Sequence, residues 1–99
     1  MEDVDAKFNK AKEYVAANAG ALKDKAGNDG MLDIYGCFKI ATEGACTTSR
    51  PGGLFNNKEK AKWDAWDKWS KQEDLVADQN KAKEKYHELV ANIIPESEW

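Results

Sequence analysis

The sequence predicts an all-α fold, a single bundle of four amphipathic helices. Three observations predict it. Apolar residues recur at helical spacing in four separate stretches. No strand-like alternation runs longer than a few residues. The connections are short to medium, as in packed helices. At 99 residues the chain fits one domain, 1–99, and buries roughly 60–65% of its unfolded surface, enough for a modest core.

The first helix is predicted over Asp3 to Ala17, with Val4, Phe8, Ala11 and Val15 on one apolar stripe. Glu2, Asp3 and Asp5 sit where the helix dipole favours negative charge. Lys10 and Lys12 read as solvated. Asn18, Ala19 and Gly20 are stop signals. The connection from Ala19 to Asp29 is too long for a tight turn and is expected to wrap over the surface, with a short turn of its own at Ala21-Leu22-Lys23.

The second helix starts at Asn28 or Asp29, either of which can cap it, and ends near Gly44. Ile34, Cys37, Phe38 and Ala41 form its core face, and Met31, Tyr35 and Lys39 form an adjoining stripe. Gly36 inside it costs about 1 kcal/mol against alanine, so a packing or access reason is expected, such as close approach of another helix.

The run from Thr47 to Gly53 is a loop by composition, with Pro51 restraining Arg50 to an extended conformation. Leu54 and Phe55 are expected to tuck inward. Asn56 or Asn57 caps the third helix, which runs to Trp69 with Trp63, Trp66 and Trp69 three apart. Lysines crowd its start, where the macrodipole prefers acids. Ser70-Lys71-Gln72-Glu73 fits a capping box and is read as opening a long fourth helix to about Ile93. Leu75, Ala82, Tyr86, Leu89, Val90 and Ile93 make its stripe, and Pro95 stops it.

Composition excludes several function classes. Hydrophobic residues are 41% and charged residues 33%, a globular balance. The net charge of −3 leaves no overall basic footprint for nucleic acid. Cys37 and Cys46 read as reduced thiols, and the lone His87 has no partner spacing for a metal. The acidic N-terminus has no apolar signal region, and no apolar run reaches a membrane span. A cytoplasmic protein without stable membrane insertion is expected. No nucleophile elbow, P-loop or dinucleotide fingerprint is present, and no carboxylate pair stands out, so catalysis is not expected.

What remains is a set of cations and aromatics on neighbouring helices. Tyr35 and Lys39 lie four apart, and a ring beside an ammonium suits a nucleotide: the ring stacks on a base and the ammonium meets a phosphate. Lys58, Lys60 and Lys62 come from the third helix and Tyr86 from the fourth. The plainer alternative makes Tyr35 a rim tyrosine and the lysines solvated. A helical protein-interaction module with an exposed aromatic patch is the competing function class.

Met31-Leu32-Asp33-Ile34-Tyr35-Gly36-Cys37-Phe38-Lys39, then Arg50-Pro51-Gly52, then Lys60-Ala61-Lys62-Trp63-Asp64-Ala65-Trp66, closely resembles the acyl-CoA-binding protein family. The resemblance runs in order from about Phe8 to Ile93. It implies an antiparallel four-helix bundle in up-down-down-up order, with a long loop, Ala45 to Asn57, between helices 2 and 3. It implies a non-catalytic, monomeric carrier that uses no cofactor, binds medium- and long-chain acyl-CoA thioesters, pools them and delivers them to acyl-CoA-using enzymes. Tyr35, Lys39 and Lys62 fall on the family's positions for the adenine and the ribose 3′-phosphate, and Tyr86 on the fourth-helix tyrosine near the head. Phe38 takes the second aromatic position, more often tyrosine. Met31 and Leu32 fall where the family lines its acyl groove, with Ala61 opposite. Lys58, from the third-helix cation cluster, completes the candidate set. The chain differs from the family pattern at Ile40, in its longer first connection, and at Ala16, where many members carry a basic residue.

Overall fold

The computed structural model describes residues 3–54 and 56–99. Glu2, expected at the first helix start, and Phe55, expected to tuck inward, lie outside the described residues. Helix α1 spans Val4–Glu43, α2 spans Asn57–Trp69, α3 spans Glu73–Ala77 and α4 spans Gln79–Ile93, followed by a 3₁₀ turn at Glu96–Glu98. Among the described residues there is no strand. The protein is an all-α four-helix bundle in which the two long parts of α1 supply two of the four helices.

Two backbone breaks let α1 do this. Asn18 leaves the helical region at φ −129°, ψ 26°, and Gly27 does so at φ 74°, ψ −179°. A straight helix would set Phe8 and Phe38 roughly 45 Å apart at 1.5 Å per residue. Their ring centroids are instead 6.1 Å apart, so the chain has folded back on itself. At the second break a side chain would be strained, since the φ of Gly27 lies in the left-handed region. The expected surface connection is therefore a correction: residues 19–26 are helical, and Leu22 among them is fully buried. One leucine in the core holds this segment against the bundle.

The core is built largely by the predicted stripes, with Ile40 added and Val4 left out. Phe8, Ala11, Ile34, Cys37, Ile40 and Ala41 of α1 meet Trp66 of α2 and Ala82, Tyr86 and Val90 of α4. Helix α1 packs against both α4 and α2. The Cys37 thiol donates to the Ala82 carbonyl at 3.3 Å, and burial pushes its pKa up to about 12. Gly36 has the expected packing reason. A Cβ there would run into the Trp69 ring and come within 2.7 Å of the Ala65 carbonyl oxygen, so glycine sets how closely α2 approaches.

Trp63 and Trp66 of α2 hold the loop that starts at Gly44 in place. Trp66 Nε1 donates to the Gly44 carbonyl at 2.8 Å, and Trp63 Nε1 to the Thr48 carbonyl at 3.0 Å. Trp69 Nε1 turns to Asp33 of α1 at 3.3 Å. Arg50 forks onto Asp64 at 2.8 and 3.0 Å. Leu54 corrects an expectation: it is 85% exposed. Asn56 Nδ2 donates to the Gly52 carbonyl and Lys60 Nζ to the Gly53 carbonyl, closing a turn from which Leu54 points outward.

The fourth helix does not start at Ser70. Its hydroxyl is engaged elsewhere, donating to the Trp66 carbonyl at 2.8 Å and accepting the Cys46 N–H at 2.7 Å. The one-turn α3 follows, and the extended residue Asp78 breaks the chain at φ −140°, ψ 101° before capping α4 through the Asn80 N–H at 3.0 Å.

Candidate functional site

The fold-back of α1 leaves a cavity of about 1000 Å³ between α1, the start of α2 and Tyr86 of α4. That lies at the upper end of the roughly 300–1,000 Å³ usual for small-molecule pockets. Met31, Leu32, Ile34, Tyr35 and Phe38 of α1 line it, with Val15, Ala16, Ala19 and Gly20 on an adjoining wall. Lys58, Ala61 and Lys62 complete it from α2.

These side chains converge for reasons visible in the local structure. Met31, Leu32, Tyr35 and Phe38 follow one another at helical spacing. Ala61 and Lys62 sit one residue either side of the same helical face of α2, and Lys58 lies one turn earlier. Tyr86 is buried, with its ring edge-on to Phe8 at 5.1 Å and tilted against Phe38 at 6.0 Å. Burial pushes its hydroxyl pKa up to about 12, with the neighbouring Cys37 thiol adding to the rise. That hydroxyl has no protein partner among the described residues. Yet no buried side-chain nitrogen or oxygen there lacks one, so the hydroxyl opens onto the cavity.

Tyr35 does sit beside a cation, but the cation comes from the neighbouring helix. Lys62 Nζ lies 5.4 Å from its ring centroid, bridging α1 and α2. The Tyr35 hydroxyl pKa is raised by desolvation, with Glu59 contributing. Lys39, paired with Tyr35 on sequence spacing alone, is turned away from the cavity. Its ammonium is ion-paired to Glu43 one helical turn on and lies 4.4 Å over the Trp66 ring. A four-residue step along a helix advances the face by about 40°, enough to carry Lys39 from the Tyr35 wall to the groove between α1 and α2. Of the nine candidate residues, Met31, Leu32, Tyr35, Phe38, Lys58, Ala61, Lys62 and Tyr86 line the cavity and Lys39 does not.

Part of the wall was missed in the sequence. Lys12, Val15, Ala16, Ala19, Gly20, Lys23 and Asn28 all line the cavity. A signal was there: positions 12, 16, 19 and 23 repeat at helical spacing, two lysines flanking small residues. It was obscured by reading 19–29 as a surface connection.

Chemically, the arrangement offers a long apolar surface, a half-buried ring with a cation over it, and further ammonium groups at its edges. No group of three or more His, Cys, Asp or Glu side chains suited to a metal is found among the described residues.

Comparison with known proteins follows the same direction. The family model described as "Acyl CoA binding protein" matches residues 5–90. Acyl-CoA-binding domain-containing protein 1 of Arabidopsis thaliana is 38% identical over 94 residues, 94% of this chain and 26% of that protein. The acyl-CoA-binding protein of Gossypium hirsutum is 50% identical over 54 residues, 54% of this chain and 60% of that protein. Enoyl-CoA delta isomerase 2 of Rattus norvegicus is 40% identical over 77 residues, 78% of this chain but only 18% of that enzyme. The chain spans about a quarter of the length of the domain-containing plant relatives that it matches along most of its own length. No solved structure gives a significant match to the chain.

Proposed function

The chain belongs to the acyl-CoA-binding protein family, and on that premise we propose that it is a non-catalytic carrier of medium- and long-chain acyl-CoA thioesters. The observation that carries the proposal is the cavity itself, an apolar trough with the Tyr35–Lys62 pair on its wall.

The acyl tail lies along Met31, Leu32 and Ala61, and the adenine stacks on Tyr35. Lys62 and Lys58 meet phosphate, while Tyr86 offers its hydroxyl to the head and Phe38 supplies apolar surface. Lys39 joins the head group by exchanging its Glu43 carboxylate for a phosphate. An exposed ion pair is worth only about 0–1 kcal/mol, so a dianionic phosphate can displace it.

Magnitudes divide the labour. Each buried methylene contributes up to about 0.8 kcal/mol. Ten of them outweigh any single charge-assisted contact of about 1.5–3 kcal/mol. The tail therefore sets affinity, and the head sets orientation and excludes free fatty acids. Ordering a long flexible ligand offsets several kcal/mol of this, so the terms do not add.

Holding a thioester in a trough calls for no nucleophile, metal or cofactor, and the protein breaks no bond of its ligand. It works as a monomeric single domain in the cytoplasm, shielding acyl-CoA until an acyl-CoA-using enzyme takes it. No helix among the described residues is long and apolar enough to cross a membrane.

Isothermal titration with palmitoyl-CoA below its micelle concentration, beside palmitate, free CoA and octanoyl-CoA, tests the proposal. The expected result is tight one-to-one binding of palmitoyl-CoA, weaker binding of octanoyl-CoA and much weaker binding of either fragment. Equal affinity for the two chain lengths would remove the apolar trough from the account. No binding by folded protein would overturn the carrier reading and favour a protein-interaction role.

A further inference from the structure

Residues 94–99 lie past residue 90, where the family match ends, and none of them lines the cavity. They nevertheless reach the first part of α1 at two places. The Trp99 ring stacks on Tyr14 with centroids 5.1 Å apart and planes 16° from parallel. Glu96 Oε2 accepts from Lys10 Nζ at 2.8 Å. Lys10 and Tyr14 are four apart and share a helix face. That face is turned by about 200° from the one that carries the cavity-lining Lys12 and Ala16. The contacts therefore fall behind the wall, on its outer side. The same residues are tied to α4. Glu96 Oε1 lies 2.7 Å from His87 Nε2, and the His87 ring stands edge-on to Trp99 at 5.2 Å. Ile94 is buried in the core, and its carbonyl accepts from Trp99 Nε1 at 2.8 Å.

Tyr14 also stands at the first backbone break, since Asn18 Nδ2 donates to its carbonyl at 3.0 Å. Val15 and Ala16, just before that break, and Ala19 and Gly20, just after it, line the cavity. A helix interrupted in the middle of a wall loses the stiffness of a continuous hydrogen-bond ladder, so side-chain contacts must fix the wall instead. Leu22, fully buried, does this after the break. We propose that Trp99 does it before the break, as a positioning residue for acyl-CoA: stacked on Tyr14, it braces α1 from outside and holds Val15, Ala16 and Ala19 where they meet the ligand. The proposal rests on the carrier reading above. Its energetic basis is the fraction of molecules whose wall is in place, because apparent affinity falls in proportion when that fraction falls.

The rival account is a turn that adds stability and nothing else. Such a turn changes the melting temperature but not the affinity of protein that is already folded. Titration with palmitoyl-CoA well below the melting temperature, using wild type, Trp99→Ala, Tyr14→Ala, the double variant and Trp99→Phe, separates the two. Leu75→Ala, which cuts the core at α3 away from the cavity, is the control for stability lost elsewhere. Each single variant is expected to lose roughly three- to tenfold in affinity, the range that one aromatic pair supplies. The double variant should lose no more than either single one, because both remove the same contact. Trp99→Phe, which keeps a ring, should recover most of the affinity, and Leu75→Ala should melt earlier yet bind as wild type. Melting curves show which variants are folded, and Trp99→Leu, which keeps apolar bulk without a ring, carries the test if Trp99→Ala is not. Wild-type affinity in the folded Trp99 variant, additive losses in the double variant, or an equal loss in Leu75→Ala would overturn the proposal while the carrier reading stands. Failure of the wild-type protein to bind palmitoyl-CoA would overturn the carrier reading itself.

Discussion

Replacing Gly36 by alanine places two opposing effects at one position. Alanine in mid-helix gains about 1 kcal/mol over glycine through backbone entropy. The added Cβ, however, would lie 2.7 Å from the Ala65 carbonyl oxygen and 3.0 Å from its carbon, and would overlap the Trp69 ring. The indole can tilt, at the expense of its 3.3 Å hydrogen bond to Asp33, but the Ala65 backbone can yield only if all of α2 shifts. Overpacking of this kind costs typically about 1–3 kcal/mol, and contact with backbone puts this case at the upper end. The net expectation is a loss of about 1–2 kcal/mol, a fall in melting temperature of roughly 4–16 °C for a domain of this size. Because the same shift separates Tyr35 from Lys62, palmitoyl-CoA affinity should fall as well. Thermal and denaturant unfolding of Gly36→Ala beside Gly20→Ala checks this, since nothing lies within 4 Å of a Cβ at Gly20 and its φ is not positive. Gly20→Ala should hold or raise stability. A Gly36→Ala protein as stable as wild type would refute the argument that this glycine sets the α1–α2 distance.

Lys39→Ala should leave the melting temperature nearly unchanged, because an exposed ion pair contributes little, yet weaken palmitoyl-CoA binding roughly tenfold or more. Equal binding would leave Lys39 with only the Glu43 pair it makes here. Thiol titration of the native protein near pH 8 should modify one cysteine readily: Cys37 is fully buried with its pKa pushed up to about 12, whereas Cys46 is half-buried. Two fast-reacting thiols without denaturant would contradict the packing of α1 on α4. Hydrogen bonds from Lys10 at 2.8 Å, and next from His87 at 2.7 Å, hold the Glu96 carboxyl below its usual range. A depressed carboxylate contributes stability that is present above its unfolded value of 4.5 and lost as pH falls through the folded one. Glu96→Gln should therefore flatten the acid side of melting temperature against pH, and an unchanged slope would show that these contacts do not hold the C-terminal turn.

Local periodicity was enough to read much of this protein. Phe8 and Ala11 of the first stripe, Ile34, Cys37 and Ala41 of the second and Ala82, Tyr86 and Val90 of the last announced the core, because helical spacing alone decides which side chains share a face, although Val4 of the first stripe is not part of it. Met31 and Tyr35 could be grouped for the same reason, whereas Leu32 was placed with them only by the family resemblance. Short-range rules failed where a distant group claimed a residue first. Ser70 and Glu73 carry capping-box chemistry, but the Ser70 hydroxyl is committed to Trp66 and the Cys46 N–H, so the last long helix waits for Asp78. The stretch from Ala19 to Asp29 reads as a connection from its glycines, yet burial of Leu22 outweighs weak propensity and makes it a helical wall of the cavity. Tyr35 and Lys39 are neighbours by spacing, while the ammonium at the Tyr35 ring belongs to Lys62, twenty-seven residues on. Sequence by itself determined the all-helical class, most of the buried faces and the family pattern, since those depend on residue order and spacing. Only the tertiary structure decided which lysines meet in the cavity, because that depends on where two backbone breaks and one glycine contact bring separate helices together.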